Sequence, residues 1–132
     1  MAIEVRTHAA GSDVSDFVRA AHVVFEGDKS WVPPLDFEIR QRLDPKKNPF
    51  FQRAEAVFFT AWKDGKLVGR TSATIDREHL RLWKDETGFF GFFDTIDDPE
   101  VARALLEKAE AWLRDRGVKY AMGPLSLYAN DE

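Results

Sequence analysis

The 132-residue sequence contains no cysteine, so disulfides, thiol nucleophiles and cysteine-ligated zinc are excluded at the outset. Clustered positive charge is equally scarce. The formal net charge is −4 and the one basic doublet is Lys46-Lys47, too little to neutralise a run of phosphates, so nucleic acid is not expected as a partner. Nowhere do about 18 apolar residues stand together, and "MAIEVRTHAAGSD" lacks a basic segment followed by an apolar one. The expectation is a cytoplasmic protein with no membrane span. Gly-x-Ser-x-Gly, Walker and His-Glu-x-x-His motifs are all missing, which leaves nucleophilic catalysis without a carrier. His8, His22 and His79 lie apart in the sequence, so no metal is expected and each reads as a surface or core-edge histidine.

Aromatic residues are present in surplus: eleven Phe, four Trp and two Tyr. A chain of this length can bury roughly two-thirds of its unfolded surface, so a single domain over 1–132 with a Phe-packed core is expected. An apolar ligand pocket is the alternative use of the same side chains.

Local patterns divide the chain into alternating elements. "AIEVRT", residues 2–7, reads as a short strand, and "GSDVSD" offers Ser12 or Asp13 as a helix N-cap. Val14, Phe17, Val18, Ala21, Val24 and Phe25 then recur at helical spacing, predicting a helix to about Glu26. The prolines of "WVPPL" break it. A short helical segment follows over 35–43 and is ended by "DPKKNPFF". Two strands, 54–63 and 66–76, flank Asp64-Gly65, a dipeptide suited to a type I′ turn, so a β-hairpin is predicted. In its second strand Leu67, Thr71, Ala73 and Ile75 share one face and Arg70, Ser72, Thr74 and Asp76 the other, which is expected to be wetter. Gly69 marks a candidate bulge.

Residues 77–86 fit either a strand extension or a charged loop. From Thr87 to Thr95 strict alternation puts Phe89 and Phe93 on one face and Phe90 and Phe92 on the other. A strand apolar on both faces belongs inside a covered sheet, and these four rings are expected at the centre of the core. The next helix carries Val101, Ala102, Leu105, Leu106, Ala109, Trp112 and Leu113 on one stripe. Asp98 as cap, Pro99 at the first position and Gly117 past the end bound it. "VKYAMGP" is a last short strand before a polar tail. The fold class is therefore α+β: a mixed, largely antiparallel sheet, covered by helices and including a β–α–β crossover.

This order resembles the front part of the acyl-CoA N-acyltransferase (GNAT) fold. "WVPPL", "DPKKNPFF", "TGFFGFF", "DDPEVARALL", "GP" at 123–124 and "NDE" at 130–132 are further similar to long bacterial GNAT-type proteins related to bacterial ceramide synthases. The resemblance implies acyl transfer from acetyl-CoA or another acyl-CoA to an amine, a long-chain amine in the ceramide-synthase-like version. It implies that the strand end receives the thioester, with Phe93 and Thr95 as coenzyme-binding residues, Asp94 as the amine's general base and Tyr128 as the acid. A buried Asp94 beside phenylalanines would have the raised pKa a base needs; a solvated turn residue is the alternative. Members of the group continue past "NDE", so the C-terminal part of the fold is expected to be missing. The strand over 118–124 would then have an open edge, predicting a homodimer built around Tyr120 to Leu127.

One departure from the GNAT pattern bears on function. Active members carry Arg or Gln, two residues, Gly, one residue, then Gly or Ala where this sequence has Ile96, Asp97, Asp98, Pro99 and Glu100. Asp97 or Asp98 would take the helix donors that a pyrophosphate needs, and Pro99 removes one. This favours a second reading, a non-catalytic GNAT module serving packing or dimerisation.

Overall fold

A computed structural model describes residues 3–26, 40–41, 43–48, 51, 54–76, 87–118 and 120–125, with the backbone alone at 87 and 120–125. Strands β1 (Ile3–Ala9), β2 (Ala54–Lys63), β3 (Lys66–Asp76), β4 (Thr87–Thr95) and β5 (Tyr120–Leu125) form one sheet in the order β1-β2-β3-β4-β5. The first three pairings are antiparallel and β4 pairs β5 in parallel. Helices α1 (Ser15–Val24) and α2 (Pro99–Asp115) pack against the sheet. The β4–α2–β5 unit is the crossover that a parallel pair requires. Of the expected 35–43 segment, Arg40, Gln41 and Leu43 are helical, and "WVPPL" and 77–86 lie outside the described residues.

The hairpin forms as its turn dictates. Asp64 and Gly65 both take positive φ, 53° and 79°, as a type I′ turn requires. At α1 the cap differs from expectation: Val14 occupies the N-cap position, with no side-chain cap bond. Asp13 Oδ1 instead accepts from the Ser15 N–H, and the Ser12 hydroxyl turns back to the Ala9 carbonyl. At the other helix Gly117 follows the end at φ +81°, and Gly88 leaves room for packing, since a Cβ there would stand 2.6 Å from Leu113 Cδ2.

Two cores lie on opposite faces of the sheet. Val57, Phe59, Ala61, Val68, Ala73 and Ile75 meet Val101, Leu105, Ala109 and Leu113 of α2. The i, i+4 spacing of those helix residues makes a single stripe. On the other side Ala54, Ala56 and Phe58 meet Phe17 and Val18 of α1, and Leu43.

Two expectations are corrected here. The polar face of β3 is not the wetter one: Arg70, Ser72, Thr74 and Asp76 are all buried, because α1 packs over β3 on that side. A register shift where Ala61 pairs Gly69 and Trp62 pairs Leu67 also moves Leu67 to a cluster with Ala20 and Trp62, away from Ala73 and Ile75. The bulge suggested by Gly69 is thus present, and it breaks the alternation.

The second correction concerns β4. Ser72 pairs Gly91 and Arg70 pairs Asp94, so the single residue Thr71 faces Phe92 and Phe93 together. This two-against-one arrangement is a β-bulge, and Phe92 sits in it at φ +48°. Parity is inverted past it. Phe90 and Phe93 pack together against the α2-side core, in edge contact at 6.2 Å, while Phe92 packs against Phe17 on the α1 side. Of the four rings Phe89 alone is fully buried, and the others are half-buried. The central rings are Phe17 and Phe58, both at 0 % exposure with centroids 4.9 Å apart.

Phe58→Ala is therefore expected to destabilise by about 3–5 kcal/mol, and Phe90→Ala or Phe93→Ala by clearly less. Urea unfolding monitored by circular dichroism measures the order. Equal losses at all three positions would contradict this account of the core.

Candidate active site

The bulge changes what the end of β4 presents. Pairing between β4 and β5 reaches Gly91–Leu125, whereas β4 runs four residues further, to Thr95. Beyond the bulge the Ile96 N–H donates to the Val68 carbonyl at 3.0 Å. The Asp94 carbonyl likewise faces β3, 3.1 Å from where a Cβ on Gly69 would stand. Backbone polar groups of a strand alternate between its two edges. The N–H and C=O groups of Phe93 and Thr95 therefore point to the opposite edge, where the described residues supply no strand partner beyond Gly91.

Asp94 is held rather than loose. Its Oδ2 accepts from Arg70 Nε at 2.9 Å. Arg70 is 8 % exposed, donates a second bond to the Phe17 carbonyl, and places its guanidinium 4.9 Å from the Phe17 ring and 5.3 Å from the Phe92 ring. Burial lowers the pKa of Arg70, and the charge and hydrogen bond of Asp94 act against that shift. The sequence left Asp94 either buried beside phenylalanines or solvated in a turn; the structure pairs it with a buried arginine, a contact that neither alternative included. Its only trace in the sequence was a charge on a strand otherwise rich in apolar and hydroxyl residues.

The start of α2 is closed to an outside anion. Asp98 is the N-cap: Oδ1 accepts from the Glu100 N–H, and the Asp98 carbonyl accepts from the Val101 and Ala102 N–H groups. Pro99 has no N–H to offer. The remaining carboxylate oxygen accepts from Lys63 Nζ at 2.8 Å. Hydrogen bonds from Lys63 and then from the Glu100 amide lower the Asp98 pKa, and the Asp98 bond raises that of Lys63.

Other sequence candidates fall elsewhere. Tyr128 lies outside the described residues, as does His79. His8 pairs with the Thr60 hydroxyl, which also accepts from Trp62 Nε1. No metal-ligating group of side chains occurs among the described residues, nor any helix long and apolar enough to cross a membrane. A cleft of about 520 Å³ between Ala10–Val14 on one side and Arg40 and Leu43–Lys46 on the other lies at the other end of the sheet and is not lined by Phe93, Asp94 or Thr95.

No family model matches the chain. Among curated proteins it is 38% identical over 131 residues to Protein YghO of Escherichia coli, covering 97% of this chain and 33% of that protein. It is 42% identical over 106 residues to the bacterial ceramide synthase of Caulobacter vibrioides, covering 80% of this chain and 28% of that one. The chain thus spans about a third of the length of the curated relatives it matches. Among solved structures it superposes on a ribosomal-protein-alanine N-acetyltransferase from Brucella melitensis with a TM-score of 0.61 at 18% identity, over 99% of this chain and 84% of that one. The PaiA N-acetyltransferase of Thermoplasma acidophilum, solved with coenzyme A, gives 0.51 at 16% identity, over 89% and 76%. The fold is that of the GNAT acyltransferases.

The first turn of α2 offers no free backbone donor to an outside anion: the Glu100, Val101 and Ala102 N–H groups already have acceptors on Asp98.

The Lys63–Asp98 pair makes this junction pH-dependent. Asp98, whose folded pKa is depressed, contributes stability that is full above the ordinary aspartate value of about 3.9 and is lost as pH falls through the folded value. Asp98→Ala should therefore lower the melting midpoint at neutral pH, by an amount that shrinks as pH drops below about 4. Calorimetric melts from acid to neutral pH measure this, and a pH-independent difference would contradict the assignment.

Proposed function

We propose that this chain carries an acyl-transfer site of GNAT type, in which the open end of β4 receives an acyl-CoA thioester and an amine attacks its carbonyl. The amine nitrogen forms the new C–N bond, the C–S bond breaks with its electron pair going to sulfur, and the proton lost by the amine ends on that sulfur, so the coenzyme leaves as a thiol. What the site contributes is placement of the thioester along Phe93 and Thr95, whose N–H groups can hold the arm and polarise a carbonyl. The observation that carries the reading is the length of β4, from Phe92 to Thr95, that has no β5 partner among the described residues. Relatedness to a bacterial ceramide synthase supports a long-chain acyl or amine substrate, and the half-buried Phe90, Phe93, Ile96 and Trp112 beside the α2-side core offer apolar surface for one.

The self-capped α2 favours a second reading, a module that has kept the fold and lost its grip on the coenzyme. One titration separates them. The transfer reading expects acetyl-CoA and acetyl-pantetheine to bind alike, within about threefold and more weakly than about 100 μM, because pyrophosphate adds little. Calorimetry with both ligands, repeated with a long-chain acyl-CoA, measures this. No binding of any thioester supports the module, and a micromolar affinity lost with the pyrophosphate contradicts the account of α2.

A further inference from the structure

The β4 bulge is gripped from one side by three consecutive residues of β3. The hydroxyls of Thr71 and Ser72 both donate to the Gly91 carbonyl, each at 3.1 Å. One residue earlier, Arg70 pairs with Asp94. The grip thus takes hold just before the bulge and just after it. Between these points Phe92 is kept at φ +48°, a region unfavourable to a non-glycine residue unless its surroundings hold it. They do: its ring lies in edge contact with Phe17 at 5.7 Å and 5.3 Å from the Arg70 guanidinium.

We propose that Arg70, aided by the Thr71 and Ser72 hydroxyls, is the positioning residue of this site: it fixes the β4 bulge and so sets which backbone groups of Phe93 and Thr95 face the open edge. With no bulge, the groups that now point to the open edge would turn toward β3. Asp94 serves as the anchor that Arg70 holds. The proposal rests on the reading of that edge as the thioester site, and its structural half can be tested without any ligand.

The test is solution NMR of the whole chain carrying Arg70→Met, with Leu113→Ala, a core truncation on the other face, as the control for general destabilisation. In the ligand-free Arg70→Met protein the amide resonances of Phe92 to Thr95 should move and Phe92 should lose its positive-φ coupling, while those around Asp64-Gly65 stay in place. Affinity for acetyl-pantetheine should fall by at least about tenfold, since misplacement on the scale of an ångström is enough for that. Leu113→Ala should lower the melting midpoint and move none of these signals. If Arg70→Met does not fold, the double variant Thr71→Val with Ser72→Ala is read in the same way. Unchanged Phe92–Thr95 resonances in a folded variant overturn the proposal. If those resonances move but the unsubstituted chain shows no response to acetyl-pantetheine at Phe93 or Thr95, the clamp stands and the thioester reading falls.

Discussion

A guanidinium buried between α1 and β4 must have its charge and its donors answered, and that requirement ties together the parts of this fold that bear on function. Arg70 meets it with Asp94, the Phe17 carbonyl and two aromatic faces. Those partners come from α1, from the bulge and from the residue just beyond it. Removing one member of a buried pair leaves an uncompensated charge, typically a loss of about 3–5 kcal/mol. The ion pair therefore couples the placement of α1 to the path of β4. A hydrophobic residue at position 70 could fill the space and would have no means of gripping Asp94.

The same bond changes what the acidic residues around this strand end can be. Asp94 and Asp98 both lie at or just beyond the C-terminal end of β4, and each is engaged by a cation: Asp94 by Arg70, Asp98 by Lys63. One fixes the strand and the other closes the helix. The result is an asymmetric strand end: among the described residues β4 has no partner on one edge beyond Gly91, while the start of the helix is capped from within the chain.

Much of the architecture was legible because its causes are local. Asp64-Gly65 specifies a turn within two residues, and Asp98, Pro99 and Gly117 bound a helix by cap chemistry that depends on neighbours in sequence. The closed helix start could likewise be read from Ile96 to Glu100. The face of each phenylalanine in β4 could not. Alternation holds along an uninterrupted strand, and the interruption at Phe92 is set by hydroxyls and a guanidinium some twenty residues away, on β3. The burial of the polar face of β3 was hidden for a related reason: α1 covers it, and no pattern within β3 announces a covering helix. Asp94 stood out in the sequence, but its partner, and with it its environment, is set by a tertiary contact that no local pattern announces.

The central claim is that the bulge turns Phe93 and Thr95 toward an open edge built to take the pantetheine arm. An experimental structure of the chain with acetyl-pantetheine tests it most directly. The account predicts the arm lying alongside β4, hydrogen-bonded to the backbone of Phe93 and Thr95, with the Arg70–Asp94 pair and the Asp98 cap intact. A ligand seated against the first turn of α2 with Asp98 displaced, or a β4 that runs through Phe92 without a bulge, would contradict it.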